Sequence, residues 1–162
     1  MAHVQDHISE SVSFIRQKSA IRPDIALILG SGLGDFADTL EKPNLVLTSA
    51  IPHYPRSTVI GHRGAIVLGH LRGKPIAAFQ GRVHLYESGS VETVRYPVRT
   101  AYTLGARTLI VTNAAGGINR GFLPGDLMLI TDQINFIGES RVLRILPPDD
   151  AGVRQRHEES EE

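Results

Sequence analysis

Residues 25–34 read Ile-Ala-Leu-Ile-Leu-Gly-Ser-Gly-Leu-Gly, five apolar residues running straight into a glycine-rich turn, and this junction decides the fold. A short apolar run without polar alternation is the pattern of a strand covered on both faces, as in parallel or mixed sheets. The turn that leaves it lets the backbone approach a ligand closely, and its successive N–H groups can form a concavity for an anion. The hydroxyl of Ser31 adds a donor, so Ser31 and Gly32 are candidates for holding phosphate. The same glycines also suit a tight strand exit with no ligand, and both readings stand on this motif alone.

Working outward, Val4, Ile8, Val12 and Ile15 recur at helical spacing and predict a first amphipathic helix over residues 4–18, which Pro23 helps to end. Downstream, Ser57 to Leu68 and Pro75 to Gln80 flank His70-Leu-Arg-Gly-Lys74, whose centre reads as a hairpin turn in a small β meander. Val91, Val94, Val98, Ala101 and Tyr102 predict a helix from Ser90 to near Gly105, with Pro97 either kinking it or marking its first turn. Thr108 to Thr112 reads as a second core strand. Leu127 to Thr131 reads as a third, after the turn Pro124-Gly-Asp126. Strands alternating with helices define an α/β fold, a mixed twisted β-sheet flanked by helices. Residues 1–138 read as the N-terminal part of a single domain. Residues 139–162 hold four basic and seven acidic residues and read as a disordered tail.

Composition excludes several functions. Seventeen basic residues balance seventeen acidic ones across 162 residues, so neither a nucleic-acid backbone nor an anionic membrane is an expected partner. Cysteine is absent, which removes thiolate nucleophiles and disulfides and is compatible with the cytoplasm. No stretch approaches the roughly 20 apolar residues of a membrane span. His53 and His70 belong to no metal-ligand spacing, so no metal is expected, and nothing matches the nucleophile elbow of a serine hydrolase. Gly32-Leu-Gly-Asp-Phe-Ala37 satisfies a dinucleotide fingerprint, yet the next apolar run, Asn44 to Ile51, ends without the acid that should hold a ribose.

Two further segments follow apolar runs. Gly81-Arg-Val-His-Leu-Tyr-Glu87 would, if extended, place Arg82, His84 and Tyr86 on one side: a guanidinium, an imidazole and a phenol suited to a phosphate beside a sugar. A polar strand rim is the plainer alternative. Asn113-Ala-Ala-Gly-Gly117 follows the second core strand with small residues on which a ligand could lie against Ala114 and Ala115, while Asn113 pins backbone or substrate. Asn113 could equally stabilise a turn. His62, between glycines, could reach a ligand or remain a solvated turn histidine. In open α/β sheets ligands collect at the carboxyl ends of strands, and the three junction segments share that expected edge.

In this order, Gly30-Ser-Gly-Leu-Gly34, Gly61-His62, Gly81-Arg-Val-His-Leu-Tyr-Glu87, Val111-Thr-Asn-Ala-Ala-Gly-Gly-Ile-Asn119, Pro124-Gly-Asp-Leu-Met-Leu-Ile130 and Asp132-Gln-Ile-Asn135 resemble the trimeric purine nucleoside phosphorylase family. The resemblance runs from about residue 8 to Gly138. It implies phosphorolysis of purine ribonucleosides or deoxyribonucleosides to free base and sugar 1-phosphate, with inorganic phosphate as co-substrate and no cofactor. It implies that Ser31, His62, Arg82, His84 and the backbone at Ala114 face phosphate, that Tyr86 faces the sugar, and that Gly32, Asn113 and Ala115 form the supporting loop. A homotrimer and a cytoplasmic location also follow from it. The family's purine-facing residues lie in a second half that this text does not match, so purine-binding residues are unknown and a premature or frame-shifted end is the expectation. A methylthioadenosine-type phosphorylase and a non-catalytic phosphate- or nucleotide-binding fragment are the alternatives.

Overall fold

The computed structural model describes residues 2–57 and 63–134. The chain divides into two compact units, Met1–Gly116 and Gly117–Glu162. The first holds a five-stranded mixed sheet flanked by helices. Its strands are β1 (Ile25–Leu29), β2 (Glu41–Leu47), β3 (Ala65–Leu71), β4 (Lys74–Gln80) and β5 (Thr108–Val111), ordered β2-β3-β4-β1-β5. The first three in that order are antiparallel neighbours, whereas β1 runs parallel to both β4 and β5.

The apolar run at residues 25–29 becomes the middle strand of the parallel half, and its alternation feeds two cores. Ala26 and Ile28 join Ile66, Leu68 and Phe79 on one face, packed with Ile8, Val12 and Ile15 from helix α1 (Ala2–Lys18). Tyr96, Ala101 and Leu104 from helix α3 (Val91–Leu104) complete that layer. Leu27 and Leu29 point the other way, with Val67, Ile76, Ala78, Ala37 and Leu40. Ala37 belongs to a 3-10 turn, Gly34–Thr39, that follows the glycine-rich loop and closes this second face.

Helix α3 starts and stops where its sequence says. The Ser90 side chain accepts a hydrogen bond from the Thr93 N–H at 3.3 Å, and Gly105, at φ 127°, ends it. Pro97 lies inside this helix and is buried; it removes one ladder bond, and packing of the surrounding face holds the helix together across it. The hairpin is equally legible. Arg72 and Gly73 have φ of 50° and 75° between the paired Leu71 and Lys74, the geometry of a type I′ turn. Arginine tolerates that region less well than asparagine. Arg72→Asn should therefore stabilise the fold by about 0.5–1 kcal/mol, read as a higher urea midpoint with an unchanged slope.

Three expectations are corrected. The hairpin's first strand begins at Ala65 rather than Ser57; residues 58–62, including His62, lie outside the described residues. Strand β2 overlaps the apolar run read over Asn44 to Ile51 but begins earlier, at Glu41, and ends at Leu47; a bulge between Glu41 and Asn44 and a position at the sheet edge accommodate Pro43. Leu127 to Thr131, read as a strand, forms none. Within the second unit the Leu123–Asp126 turn is present, with Gly125 at φ 98° and the Asp126 N–H donating to the Leu123 carbonyl at 3.1 Å. The residues after it have no ladder partner among the described residues, and Leu127 and Leu129 are 91% and 87% exposed. A strand without a neighbour leaves its backbone groups unpaired, so apolar text alone does not make one. The tail 139–162 also lies outside the described residues.

Strand β5 exists as expected but is not buried. Among the described residues it pairs only with β1, at the end of the sheet, and Leu109, Ile110 and Val111 are 43%, 46% and 53% exposed. An apolar open edge of this kind templates pairing with other chains. Ile110→Lys should lower self-association, measured by light scattering at constant protein concentration.

Candidate functional site

The register of the parallel strands fixes where the site lies. Leu29 of β1 pairs with Gln80 of β4, and Ile28 pairs with Val111 of β5, so all three strands finish at one level. The segments that leave them are Gly30–Gly34, Gly81–Glu87 and Thr112–Gly116.

Hydrogen bonds join each segment to the others. The Gly30 N–H donates to the Thr112 hydroxyl at 2.8 Å, which ties the glycine loop to the third segment. Arg82 donates from its guanidinium to the Thr112 carbonyl at 2.6 Å, tying the second segment to the third. Gln80 donates from its side-chain amide to the Gly34 carbonyl at 2.8 Å, tying the end of β4 to the far end of the glycine loop. Between those two anchors Ser31 and Gly32 are exposed, Gly32 takes φ 81°, and the Leu33 N–H closes a turn on the Gly30 carbonyl at 3.2 Å. Such a turn turns its amides outward on one side.

Gly30 has no room for a side chain. A Cβ placed there would meet the Thr112 carbonyl oxygen, a backbone atom, at 2.5 Å. Gly30→Ala should push β5 away from the loop and cost about 1–3 kcal/mol, seen as a lower melting temperature.

The second segment differs from the expected extended row. Residues 81–84 are irregular, and a short helix α2 (Leu85–Ser88) starts at once, with His84 as its cap. The Glu87 carboxylate accepts from the His84 backbone N–H at 2.8 Å and lies 2.7 Å from the ring Nδ1 through the same oxygen. The proton between ring and carboxylate therefore sits on Nδ1, which fixes the ring's tautomer and direction. Ser57 donates to the other carboxylate oxygen at 3.0 Å. Tyr86, 79% exposed, stacks on the His84 ring at 5.1 Å with an interplanar angle of 12°. The helical turn thus still keeps His84 and Tyr86 side by side, through stacking rather than strand alternation. Glu87, which fixes the imidazole, is not singled out by sequence reasoning; its spacing of three from a cap residue was the available signal.

A shallow hollow beside Arg82 is lined by Thr48, Tyr54, Ser57, Gly64, Gly81 and Arg82. Burial, with the neighbouring Tyr96, pushes the Tyr54 phenol well above its ordinary range. Arg63 grips the turn after the glycine loop from outside: it donates to both Asp38 carboxylate oxygens at 3.0 and 2.8 Å and lies 3.2 Å from Asp35. The Asp38 hydrogen bond, with the two carboxylate charges, raises the Arg63 pKa further. Asn113 is exposed and donates to the Ala114 carbonyl at 3.3 Å, a local loop contact. Ala114 and Ala115 are exposed beside it. His62 falls outside the described residues.

In this mixed α/β sheet a glycine loop, an arginine and a small-residue loop meet at the common end of the parallel strands β1, β4 and β5. The phosphorylase superfamily's sequence profile matches residues 24–160, and the chain belongs to that superfamily. It is 50% identical to purine nucleoside phosphorylase 1 of Bacillus subtilis over 140 residues, 86% of this chain and 52% of that one. It is 45% identical to the purine nucleoside phosphorylase of Rattus norvegicus over 128 residues, 79% of this chain and 44% of the other. The crystal structure of isoform 2 of purine nucleoside phosphorylase from Schistosoma mansoni, in complex with cytosine and ribose-1-phosphate, superposes with a TM-score of 0.65 at 42% identity, covering 71% of this chain and 40% of that one. The chain spans about half the length of the curated relatives it matches.

Proposed function

We propose that this chain provides the phosphate and ribose side of a purine nucleoside phosphorylase site. The observation that carries the reading is the three-way tie among the Gly30–Gly34 loop, Arg82 and Thr112 at the common end of β1, β4 and β5. Relatives named purine nucleoside phosphorylase, and a related structure holding ribose-1-phosphate, support it.

In this reading the amides of the glycine loop, the Ser31 hydroxyl, Arg82, His84 and the Ala114 backbone receive inorganic phosphate, joined by His62. Gly32, Asn113 and Ala115 shape the surrounding backbone, and Tyr86 lies along the sugar. Phosphate attacks the anomeric carbon as the bond to the purine breaks. Positive charge develops on the ribose, and a phosphate dianion held in place both stabilises that charge and acts as nucleophile. Neither metal nor organic cofactor takes part. Assembly as a homotrimer and a cytoplasmic location belong to the same proposal.

The test is phosphorolysis of inosine by the purified protein, followed as hypoxanthine release with and without phosphate, beside a thermal melt in phosphate or ribose 1-phosphate. Phosphate-dependent release supports the reading in full. A melting temperature raised by phosphate and not by chloride at equal ionic strength, without release, supports binding without turnover. No response to either ligand overturns it. Preferential turnover of methylthioadenosine would move the chain to that related activity.

A further inference from the structure

Gln80 is the last residue of β4, 2% exposed, and among the largest fully buried side chains of the protein. Its amide nitrogen donates to the Gly34 carbonyl at 2.8 Å, but its carbonyl oxygen Oε1 is buried and has no hydrogen-bond partner among the described residues. A buried acceptor without a donor destabilises a fold, and an apolar side chain of the same length would remove that cost. Stability therefore does not explain a glutamine here. Its one bond does: together with the Thr112 hydroxyl on Gly30, it fixes both ends of the turn that exposes Ser31 and Gly32. No other side chain among the described residues donates to the Gly34 carbonyl.

We propose that Gln80 is a positioning residue for oxyanion binding, retained at a cost in stability because its amide holds the Gly34 carbonyl and so sets the direction of the loop's N–H groups. This rests on the phosphate site proposed above. The amide dipole also matters in sign. Its N–H end meets the loop, so a negative charge at this position would both release Gly34 and repel an incoming anion.

The experiment compares phosphate affinity, from the phosphate dependence of the melting temperature, in the unaltered protein, Gln80→Met and Gln80→Glu. Gln80→Met should melt at the same temperature as the unaltered protein or higher without phosphate, and bind phosphate about tenfold more weakly. Gln80→Glu keeps the shape and loses the donor. It should bind sulfate at least tenfold more weakly than the unaltered protein near pH 8, and the gap should narrow towards pH 5 as a protonated carboxyl regains a donor. Sulfate is used there because its charge is constant over that range.

A purely structural role predicts the opposite split, with Gln80→Met melting lower and phosphate affinity unchanged; that result overturns the proposal. If Gln80→Met does not fold, the Gln80→Glu sulfate comparison decides, and equal affinity at both pH values overturns it. An unaltered protein that ignores phosphate overturns the site itself and this inference with it. An unaltered protein that responds, alongside variants that respond equally, overturns this inference alone.

Discussion

Phe79→Ala should strongly destabilise the protein. Phe79 is 1% exposed on β4, between Ile66 of β3 and Ile28 of β1, in the core that α1 and α3 cover. Its ring is shared by both helices' side of the sheet, and truncation to alanine leaves a cavity that rigid strands on either side cannot close. The expected loss is about 3–5 kcal/mol. Domains of this size hold only about 5–15 kcal/mol in all, and this one already exposes an apolar edge along β5. Circular dichroism melts should show the transition lowered by roughly 10–25 °C or absent at room temperature. A drop of only a few degrees would mean that the sheet can collapse around the site, and that the core described here is less tightly filled than its burial implies.

Arg82→Ala should remove phosphate binding while leaving most of the fold. The guanidinium follows the end of β4 and reaches the Thr112 carbonyl at 2.6 Å, so it is held in place before any anion arrives. Arginine offers several donors in a fixed fork, and loss of such a charged donor weakens an oxyanion complex by about 100-fold or more. The phosphate-dependent rise in melting temperature should vanish at millimolar phosphate. Arg82→Lys should restore part of it, since the charge returns without the fork. A variant that melts much lower but binds phosphate as before would assign Arg82 to holding β5 rather than to the ligand.

Much of the fold was legible because its decisive signals are local. The Ile25–Leu29 run, the Arg72-Gly73 turn, the Ser90 cap and the Gly105 stop each depend on a few adjacent residues, and each is found where the text places it. Other features depend on neighbours that a sequence does not display. Thr108 to Val111 reads as core but is an edge, because burial is set by what lies beside and above a strand. Leu127 to Thr131 has strand-like composition and no partner to pair with among the described residues. Strand β2 is read only as an apolar run from Asn44, because its bulge and Pro43 are tolerable only at an edge.

The site divides in the same way. That three segments should gather at one sheet edge follows from the strand ends, and they do gather. How Arg82, His84 and Tyr86 share that edge does not follow from alternation, since a helical turn begins at Leu85. Of the residues that hold the others in place, Gln80 was illegible because its partner is a backbone carbonyl 46 positions away, whereas Glu87 carried a signal in its spacing of three from a cap residue.

The position of β1 also bears on how the protein comes off the ribosome. β1 lies between β4 and β5, both of which are made later, so the earliest strand of the chain is the one that must be inserted into the middle. The meander β2-β3-β4 can close from local contacts as it emerges, whereas β1 stays single-sided until β5 appears roughly 80 residues after it. At translation speeds of 5–20 residues per second that is a wait of roughly 4–16 s. During it one edge of β1 lacks its neighbour even after the meander has closed on the other, which leaves an apolar strand edge open in the nascent chain.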